Sequence, residues 1–262
     1  MIMSMKSLEN EQRIITLFKE AKTVVYNGKI YQIIIAEKPQ YHKGEGKTDI
    51  YLKLISDEDE QEIKITTKMT TAEFLENKVK PERAKVIFGE NWANIITNYA
   101  LSIKDRFESC ILYNEDENKC LTGWRIDITS RGKRRLSKRI EATKEFKQEI
   151  LFGTNLSEEK RHVKVADKLT FNAGVANYIL LNSEQYITAQ EIIDAMQTID
   201  EVELECYIAF CAVNYFIETN KGESGRSLAV YVDWSNGEPT IVYDSPLTYT
   251  STDIFDKIKE LL

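Results

Sequence analysis

The feature that most constrains the fold of this sequence is a pair of strand-like runs that flank a short acidic segment. The runs are residues 46–54 and 61–66. Side chains alternate between the two faces of a β-strand, so the aliphatic residues of each run share one face and the polar residues share the other. A hairpin of the two runs would bury the aliphatic face and gather three polar side chains on the opposite face: Asp49, Glu62 and Lys64.

Two carboxylates and a lysine on one face suit metal-assisted cleavage of phosphodiester bonds. Mg²⁺ is a hard cation that prefers oxygen ligands, so Asp49 and Glu62 are candidate metal ligands. A bound metal ion lowers the pKa of its water and offsets charge on the phosphate in the transition state. Lys64 is then a candidate to orient the attacking water or to stabilise the transition state.

The motif, an aspartate followed by Glu-x-Lys, resembles that of the PD-(D/E)xK nuclease superfamily. In this resemblance Asp49 corresponds to the strand-opening aspartate and Glu62 to the second acid. Lys64 corresponds to the lysine of the motif. Thr48 precedes Asp49 where the motif has proline, a departure that many members show. The resemblance implies a Mg²⁺-dependent nuclease in which Mn²⁺ can substitute for Mg²⁺.

The elements predicted around the motif follow the core order of that superfamily. A helix is predicted at residues 8–22 and a strand at 29–36, and capping-box spacing at 70–73 predicts a helix after the hairpin. Strand-like runs near 109–113 and 121–129 are candidates to extend the sheet, including its parallel fourth strand. The expected fold class is α/β (α+β), with a restriction-endonuclease-like mixed sheet flanked by helices.

Members of the superfamily often place a glutamate from the first helix near the metal ion. Glu11 is the candidate here because it lies at the edge of the apolar face of the predicted helix, and Glu9 is the alternative. A purely structural role at the positive end of the helix dipole is equally compatible with both residues.

The predicted domain boundary follows residue 153. Residues 1–153 would form the nuclease core, and 154–262 a further α+β region for DNA recognition or dimerisation, although a single domain remains an alternative. In that region the sequence predicts a strand at 176–181, a capped helix from Thr188 and a hairpin turn at Asn236.

The net charge of −7 does not exclude DNA binding, because phosphate contacts depend on where the cations lie. Residues 131–139 hold six cations and no acid, and such a segment favours a polyanionic partner. This segment is expected to form a loop that leads into a helix. The candidate DNA contacts are Lys43, Lys47, Lys68, Arg131, Lys133, Arg134, Arg135, Lys138 and Arg139.

Other classes of protein fit the sequence less well. No apolar run is long enough to cross a bilayer and the first residues lack the pattern of a secretory signal, so we expect a cytoplasmic protein. The four cysteines form no C-x-x-C pair and the two histidines are far apart, which argues against a zinc site.

The sequence therefore predicts a Mg²⁺-dependent DNA endonuclease. A sequence-specific Type II restriction endonuclease, acting as a homodimer on double-stranded DNA, is the preferred interpretation. One alternative is a structure-selective enzyme such as a junction resolvase or a phage recombination nuclease. Another is a nuclease-like module that binds DNA or protein without catalysis.

Overall fold

The computed structural model describes residues 2–42, 44, 46–244 and 247–261. Within that part of the chain the helices α1–α8 are, in order, Ile2–Ala21, Pro81–Phe88, Trp92–Leu101, Lys104–Glu108, Lys144–Lys147, Glu158–Arg161, Ala189–Ala195 and Ser251–Leu261. A π-helical turn continues α5 over Gln148–Phe152.

Fifteen strands, β1–β15, are present in the described residues. In order they are Thr23–Tyr26, Lys29–Glu37, Ile50–Ile55, Glu60–Lys68, Phe74–Glu76, Tyr113–Asn114, Lys119–Thr129, Ser137–Ile140, Val163–Val165, Lys168–Thr170, Tyr178–Leu181, Cys206–Phe216, Lys221–Gly222, Val230–Asp233 and Thr240–Val242. The chain is thus a mixed α+β protein, as the sequence predicted at the level of fold class.

Each of the two compact units of the chain is built from two separate segments. Unit 1 comprises Met1–Ala72 and Thr143–Glu203, and unit 2 comprises Glu73–Ala142 and Leu204–Leu262. The predicted boundary after residue 153 lies inside unit 1 and is wrong. The reason is long-range strand pairing, because each unit completes its sheet with strands from both halves of the sequence.

Unit 1 contains a five-stranded sheet in the order β1-β2-β3-β4-β11. The strands β1 to β4 pair with one another in antiparallel orientation, whereas β11 runs parallel to β4. Helices α1 and α7 contribute to the apolar core on one face of the sheet. From α1 the core receives Ile14, Ile15 and Phe18, which lie on one side of the helix.

Helix α7 begins at the capping box that its sequence predicts. The Thr188 side chain accepts a hydrogen bond from the backbone N–H of Glu191, and the Glu191 side chain accepts one from the backbone of Thr188. This reciprocal pair satisfies backbone donors that a helix start leaves free.

The strand predicted at 176–181 is also present, as β11, and it supplies the parallel strand of the sheet.

The opposite face of the unit 1 sheet is partly covered by β9 and by the turn that follows β10. Tyr51 is buried there against Val163, Val165 and Ala173. The face that carries Asp49 in the predicted hairpin is therefore not uniformly polar.

Unit 2 contains an eight-stranded sheet whose main path is β13-β12-β7-β14-β15. The short strands β5 and β6 pair with β7, and β8 pairs with β12. Strand β7 was predicted to extend the nuclease sheet, but it lies at the centre of this second sheet. The helix predicted from residues 70–73 is absent: residues 74–76 form β5, α2 begins at Pro81, and the Glu73 carboxylate binds Arg134 instead of capping a helix.

No helix within the described residues is long and apolar enough to span a membrane.

We expect Leu52→Ala to lower the free energy of unfolding by about 2–5 kcal/mol, because Leu52 is fully buried in β3 and its truncation leaves a cavity. The matched control is Ile30→Ala on β2, where the side chain is 70% exposed. Ile30→Ala should lower the free energy of unfolding by less than about 0.5 kcal/mol, apart from any effect of the lower strand propensity of alanine. Urea denaturation measures both variants, and equal losses would contradict the proposed core.

Candidate active site

The turn between β3 and β4 fixes how the two strands of the motif align. The backbone N–H of Ser56 donates to the Asp59 carbonyl at 2.9 Å, and the Ser56 hydroxyl donates to the Asp59 carboxylate at 2.7 Å. The pairing that follows this turn begins with Ile55 opposite Glu60. The connection is therefore a four-residue turn whose own hydrogen bonds hold it closed.

This register separates the two carboxylates that the sequence placed at one metal ion. Glu62 lies opposite Lys53, and Lys53 is four residues along the strand from Asp49. Four residues of extended strand span about 13 Å. Mg²⁺ binds its oxygen ligands at about 2.0–2.1 Å, so a single ion cannot contact both carboxylates across this distance. The expectation that Asp49 and Glu62 gather at one ion is wrong in this register.

Asp49 lies where β3 begins, beside the last residues of β4. Its Oδ2 atom accepts hydrogen bonds from the backbone N–H of Thr67 at 2.6 Å and from the Thr67 hydroxyl at 3.1 Å. The Thr66 hydroxyl is 3.4 Å from the same oxygen. Only Oδ2 takes part in the hydrogen bonds found among the described residues, so Oδ1 retains its capacity to bind another group.

Glu11 of α1 is the carboxylate that lies near Asp49. It is only 6% exposed, its Oε2 atom is 2.6 Å from the Lys38 ammonium, and its Oε1 atom accepts from Ser7 at 3.2 Å. Burial raises the pKa of Glu11 above its ordinary value, and the negative charge of Asp49 raises it further. The hydrogen bonds and charge of Lys38, together with Ser7, oppose this shift. Glu11 pairs directly with Lys38, and Asp49 lies near enough for its charge to act on Glu11; we call this set of three side chains the Glu11–Asp49 cluster.

Glu62 and Lys64 belong to a different group, around Tyr51. Tyr51 lies opposite Lys64, and its pKa is raised by burial and then by its hydrogen bond to the Glu62 carboxylate. The Lys64 ammonium donates to the Asn172 carbonyl at 3.4 Å. Burial lowers the pKa of Lys64, and the neighbouring charge of Glu62 partly offsets that effect. The three motif residues are therefore divided between two clusters.

The lysines predicted to bind DNA around the hairpin have different surroundings. Lys68 is half-buried at the end of β4, two residues beyond Thr66 on the same face. Its ammonium has no hydrogen bond or ion pair with any residue that the structure describes. The stem of Lys47 lies close over Gly153, because a Cβ built at that glycine would be 2.7 Å from Lys47 Cγ. Lys43 is outside the described residues.

The basic segment 131–139 belongs to unit 2, and acids from elsewhere in that unit neutralise part of it. Arg134 binds Glu73 at 2.8 Å and lies over the Phe74 ring at 4.7 Å. Arg139 pairs with Glu205 at 3.1 Å, on the surface. The segment itself contains no acid, but the fold brings acids distant in sequence to two of its six cations.

The remaining four cations of the segment are all exposed. Arg135 donates to the Ser109 carbonyl at 3.2 Å and also to the Ser109 hydroxyl. Arg131, Lys133 and Lys138 are exposed. The end of the segment is strand β8, paired with β12, and not the approach to a helix that the sequence predicted.

The sequence interpretation missed Lys38, Thr66 and Thr67, which complete the surroundings of the two clustered carboxylates. Thr66 and Thr67 are buried at the end of a predicted strand, and their partner could have been found only from the register. Lys38 immediately follows β2, where no local pattern indicates that it would bind a side chain of α1.

Comparison with protein-family models, curated proteins and solved structures gave no match to the chain. Within the described residues, no group of three or more His, Cys, Asp and Glu side chains is arranged to hold a metal ion. The Glu11–Asp49 cluster supplies two carboxylates, which is the number that Mg²⁺ commonly takes from a protein alongside water and phosphate oxygens.

The raised pKa of Glu11 has a consequence for stability. The folded state holds a proton at Glu11 at pH values where the unfolded chain, with the ordinary value of 4.5, has released it. This carboxyl therefore stabilises the fold fully below the unfolded pKa, and the contribution is lost as pH rises through the folded pKa.

We expect the stability of Glu11→Gln, relative to the natural chain, to improve as pH rises from about 4.5 to neutrality, because glutamine carries no buried charge. Urea denaturation across that range measures the difference. Glu62→Gln, which removes an exposed carboxylate from the same unit, is the control for net charge. A stability difference that stays constant with pH for Glu11→Gln would contradict the raised pKa.

Proposed function

We propose that this protein is a Mg²⁺-dependent DNA endonuclease whose active site is built around Glu11 and Asp49. The observation that carries the proposal is the approach of a buried carboxylate on α1 to the aspartate that opens β3. Burial and then the charge of Asp49 raise the pKa of Glu11, and a cation near the two carboxylates would remove their repulsion. Perturbed carboxyl groups of this kind are frequent at catalytic sites.

The topology of unit 1 supports the same proposal. Helix α1 is followed by β1 and then by the antiparallel strands β2, β3 and β4, and β11 pairs in parallel with β4. The helix, three strands and parallel fourth strand agree with the resemblance to the PD-(D/E)xK superfamily, whereas β1 before them and the absence, in the described part of the chain, of a helix directly after β4 depart from it. Asp49 lies at the start of the second of these strands, where that resemblance places the first acid of the motif.

The donor set of the cluster fits a hard cation. Both groups are carboxylates, and one oxygen of Asp49 is already fixed in position by Thr67. A bound Mg²⁺ would supply an activated water and neutralise charge on the phosphate. Thr67 and Thr66 hold the Asp49 carboxylate in place, and the burial of Glu11 keeps its side chain in one position near Asp49.

Lys38 takes the role that the sequence assigned to Lys64. Its ammonium is 2.6 Å from the Glu11 carboxylate, so it is the cation placed to attract a phosphodiester to the cluster and to offset its charge. Lys64 instead lies near Glu62 and Asn172, where it would act on substrate at a second position on the hairpin.

Within this class we propose a sequence-specific Type II restriction endonuclease that acts on double-stranded DNA as a homodimer. Two-strand cleavage requires two such active sites, one from each copy of the chain. The exposed cations of unit 2, Lys133 and Lys138 among them, are the candidate contacts with DNA phosphates.

We expect Asp49→Asn and Glu11→Gln each to reduce Mg²⁺-dependent cleavage of unmethylated plasmid and phage DNA by at least about 100-fold. The reason is that a catalytic metal ion contributes several kcal/mol, and about 1.4 kcal/mol corresponds to a factor of ten in rate. Initial rates on agarose gels, with Mg²⁺ and with Mn²⁺, measure the loss.

Glu62→Gln is the matched control, since it removes a carboxylate from the same hairpin at a position that the register keeps away from Asp49. The cleavage rate of Glu62→Gln should stay within about tenfold of the rate of the natural chain, because Glu62 does not belong to the proposed metal site. Loss of cleavage in Glu62→Gln with full activity in Glu11→Gln would contradict the Glu11–Asp49 site. Complete absence of cleavage by the natural chain would favour the non-catalytic module.

A further inference from the structure

A group of charged side chains in unit 2 lies apart from the Glu11–Asp49 cluster. Arg125 projects from β7, and its side chain is only 13% exposed. It pairs with Glu223 at 2.8 Å, and its second ion pair is with the fully buried Asp127 at 3.5 Å. Burial of an arginine at this depth requires acids or another anion to satisfy its five N–H donors.

The segment that carries Glu223 also brings a second arginine to the same carboxylate. The Arg226 Nε atom is 3.7 Å from Glu223 Oε2, the oxygen that Arg125 binds. The backbone of this segment is fixed to the start of α8, because the Ser251 hydroxyl donates to the Glu223 carbonyl at 2.6 Å and accepts from the Arg226 N–H at 3.1 Å. The two arginines thus converge on one acid.

The two guanidinium groups retain donors that this acid does not satisfy. The Nε atoms of Arg125 and Arg226 are both buried, and neither donates a hydrogen bond to a described residue. The buried Asp127 Oδ2 atom, which forms the 3.5 Å ion pair with Arg125, has no hydrogen bond within the described residues. Native proteins pair almost all buried polar atoms, so unpaired donors on two converging arginines point to an additional oxyanion ligand.

We propose that Arg125 and Arg226 bind a backbone phosphate of DNA, and that the Glu223 carboxylate competes with this phosphate for the two guanidinium groups. Glu223 is suited to be displaced, because its side chain is 48% exposed whereas its backbone is held by α8. With Glu223 turned away, the two arginines carry two positive charges against the one negative charge of Asp127, which pairs with Arg125, and this leaves a net positive charge for the phosphate. Arginine binds phosphate in a two-pronged geometry through its planar group of donors.

The surrounding sheet favours DNA over a small free anion. Arg125 lies directly opposite Cys211 on β12, and the Arg134 guanidinium is 3.5 Å from the Cys211 sulfur. Arg125 and Arg134 therefore flank one side chain on the same face of the sheet. The proposed phosphate site therefore lies beside Arg134 of the basic segment 131–139, so a polyanion could extend from the site to that segment. This inference rests on the proposed function for the identity of the nucleic acid.

We expect Glu223→Gln to bind a short fluorescein-labelled DNA duplex several-fold more tightly than the natural chain, because the competing charge is removed. Fluorescence anisotropy in EDTA measures binding without cleavage, so failure of the nuclease proposal does not obscure the result. Glu205→Gln is the matched control, since Glu205 pairs with the exposed Arg139. A similar gain in both variants would show a general charge effect and would overturn the inference.

Arg226→Gln should weaken binding and reduce the slope of log affinity against log salt by about one, as expected for one lost phosphate contact. The matched control is Arg139→Gln, and thermal unfolding verifies that each variant folds. No selective loss in Arg226→Gln, or no DNA binding by any variant, would overturn the inference. Inorganic phosphate that displaces the duplex at matched ionic strength, with an effect lost in Arg226→Gln, would identify a site for the free anion and contradict the assignment to DNA.

Discussion

The pairing of β3 with β4 is the constraint on which the rest of unit 1 depends. With Ile50 opposite Ile65, the aliphatic side chains of both strands enter the core beneath α1, and Asp49 lies level with the end of β4. A shift of one residue would turn the aliphatic face outward, which the burial of that face prevents. The hydrogen bonds between Ser56 and Asp59 hold the turn that selects this register.

The same packing explains why the carboxylate of Glu11 is buried near Asp49, although its burial is unfavourable. The apolar side of α1, with Ile14 and Phe18, must face the sheet, and this buries Glu11, which lies one turn before Ile14 in the middle of the helix. A buried acid beside another acid is unfavourable unless a cation is near, and Lys38 provides one in this structure. A site that accumulates negative charge and holds a displaceable ammonium is suited to bind a metal ion and a phosphate together.

Local patterns were sufficient for several elements and insufficient for their long-range pairing. Alternation of apolar residues predicted the strands of the hairpin, and the capping box predicted the helix that starts after Thr188. The pairing of Tyr178 with Ile65, which makes the units discontinuous, has no local signal in the sequence. The helix predicted from the capping-box spacing at residues 70–73 is absent, and Glu73 binds Arg134 in the folded chain. Asp49 and Glu62 were expected to lie together, but their separation is set by the register of β3 and β4. That register depends on the turn and cannot be read from the two strands alone.

The most direct test of the Glu11–Asp49 site is anomalous X-ray diffraction from crystals of the protein with Mn²⁺. We expect a Mn²⁺ peak within coordination distance of the Asp49 carboxylate and bridging to Glu11, with Lys38 displaced from its ion pair. That result would establish the metal centre independently of any DNA substrate. A Mn²⁺ ion bound through Glu62, with no peak near Asp49 or Glu11, would contradict the assignment.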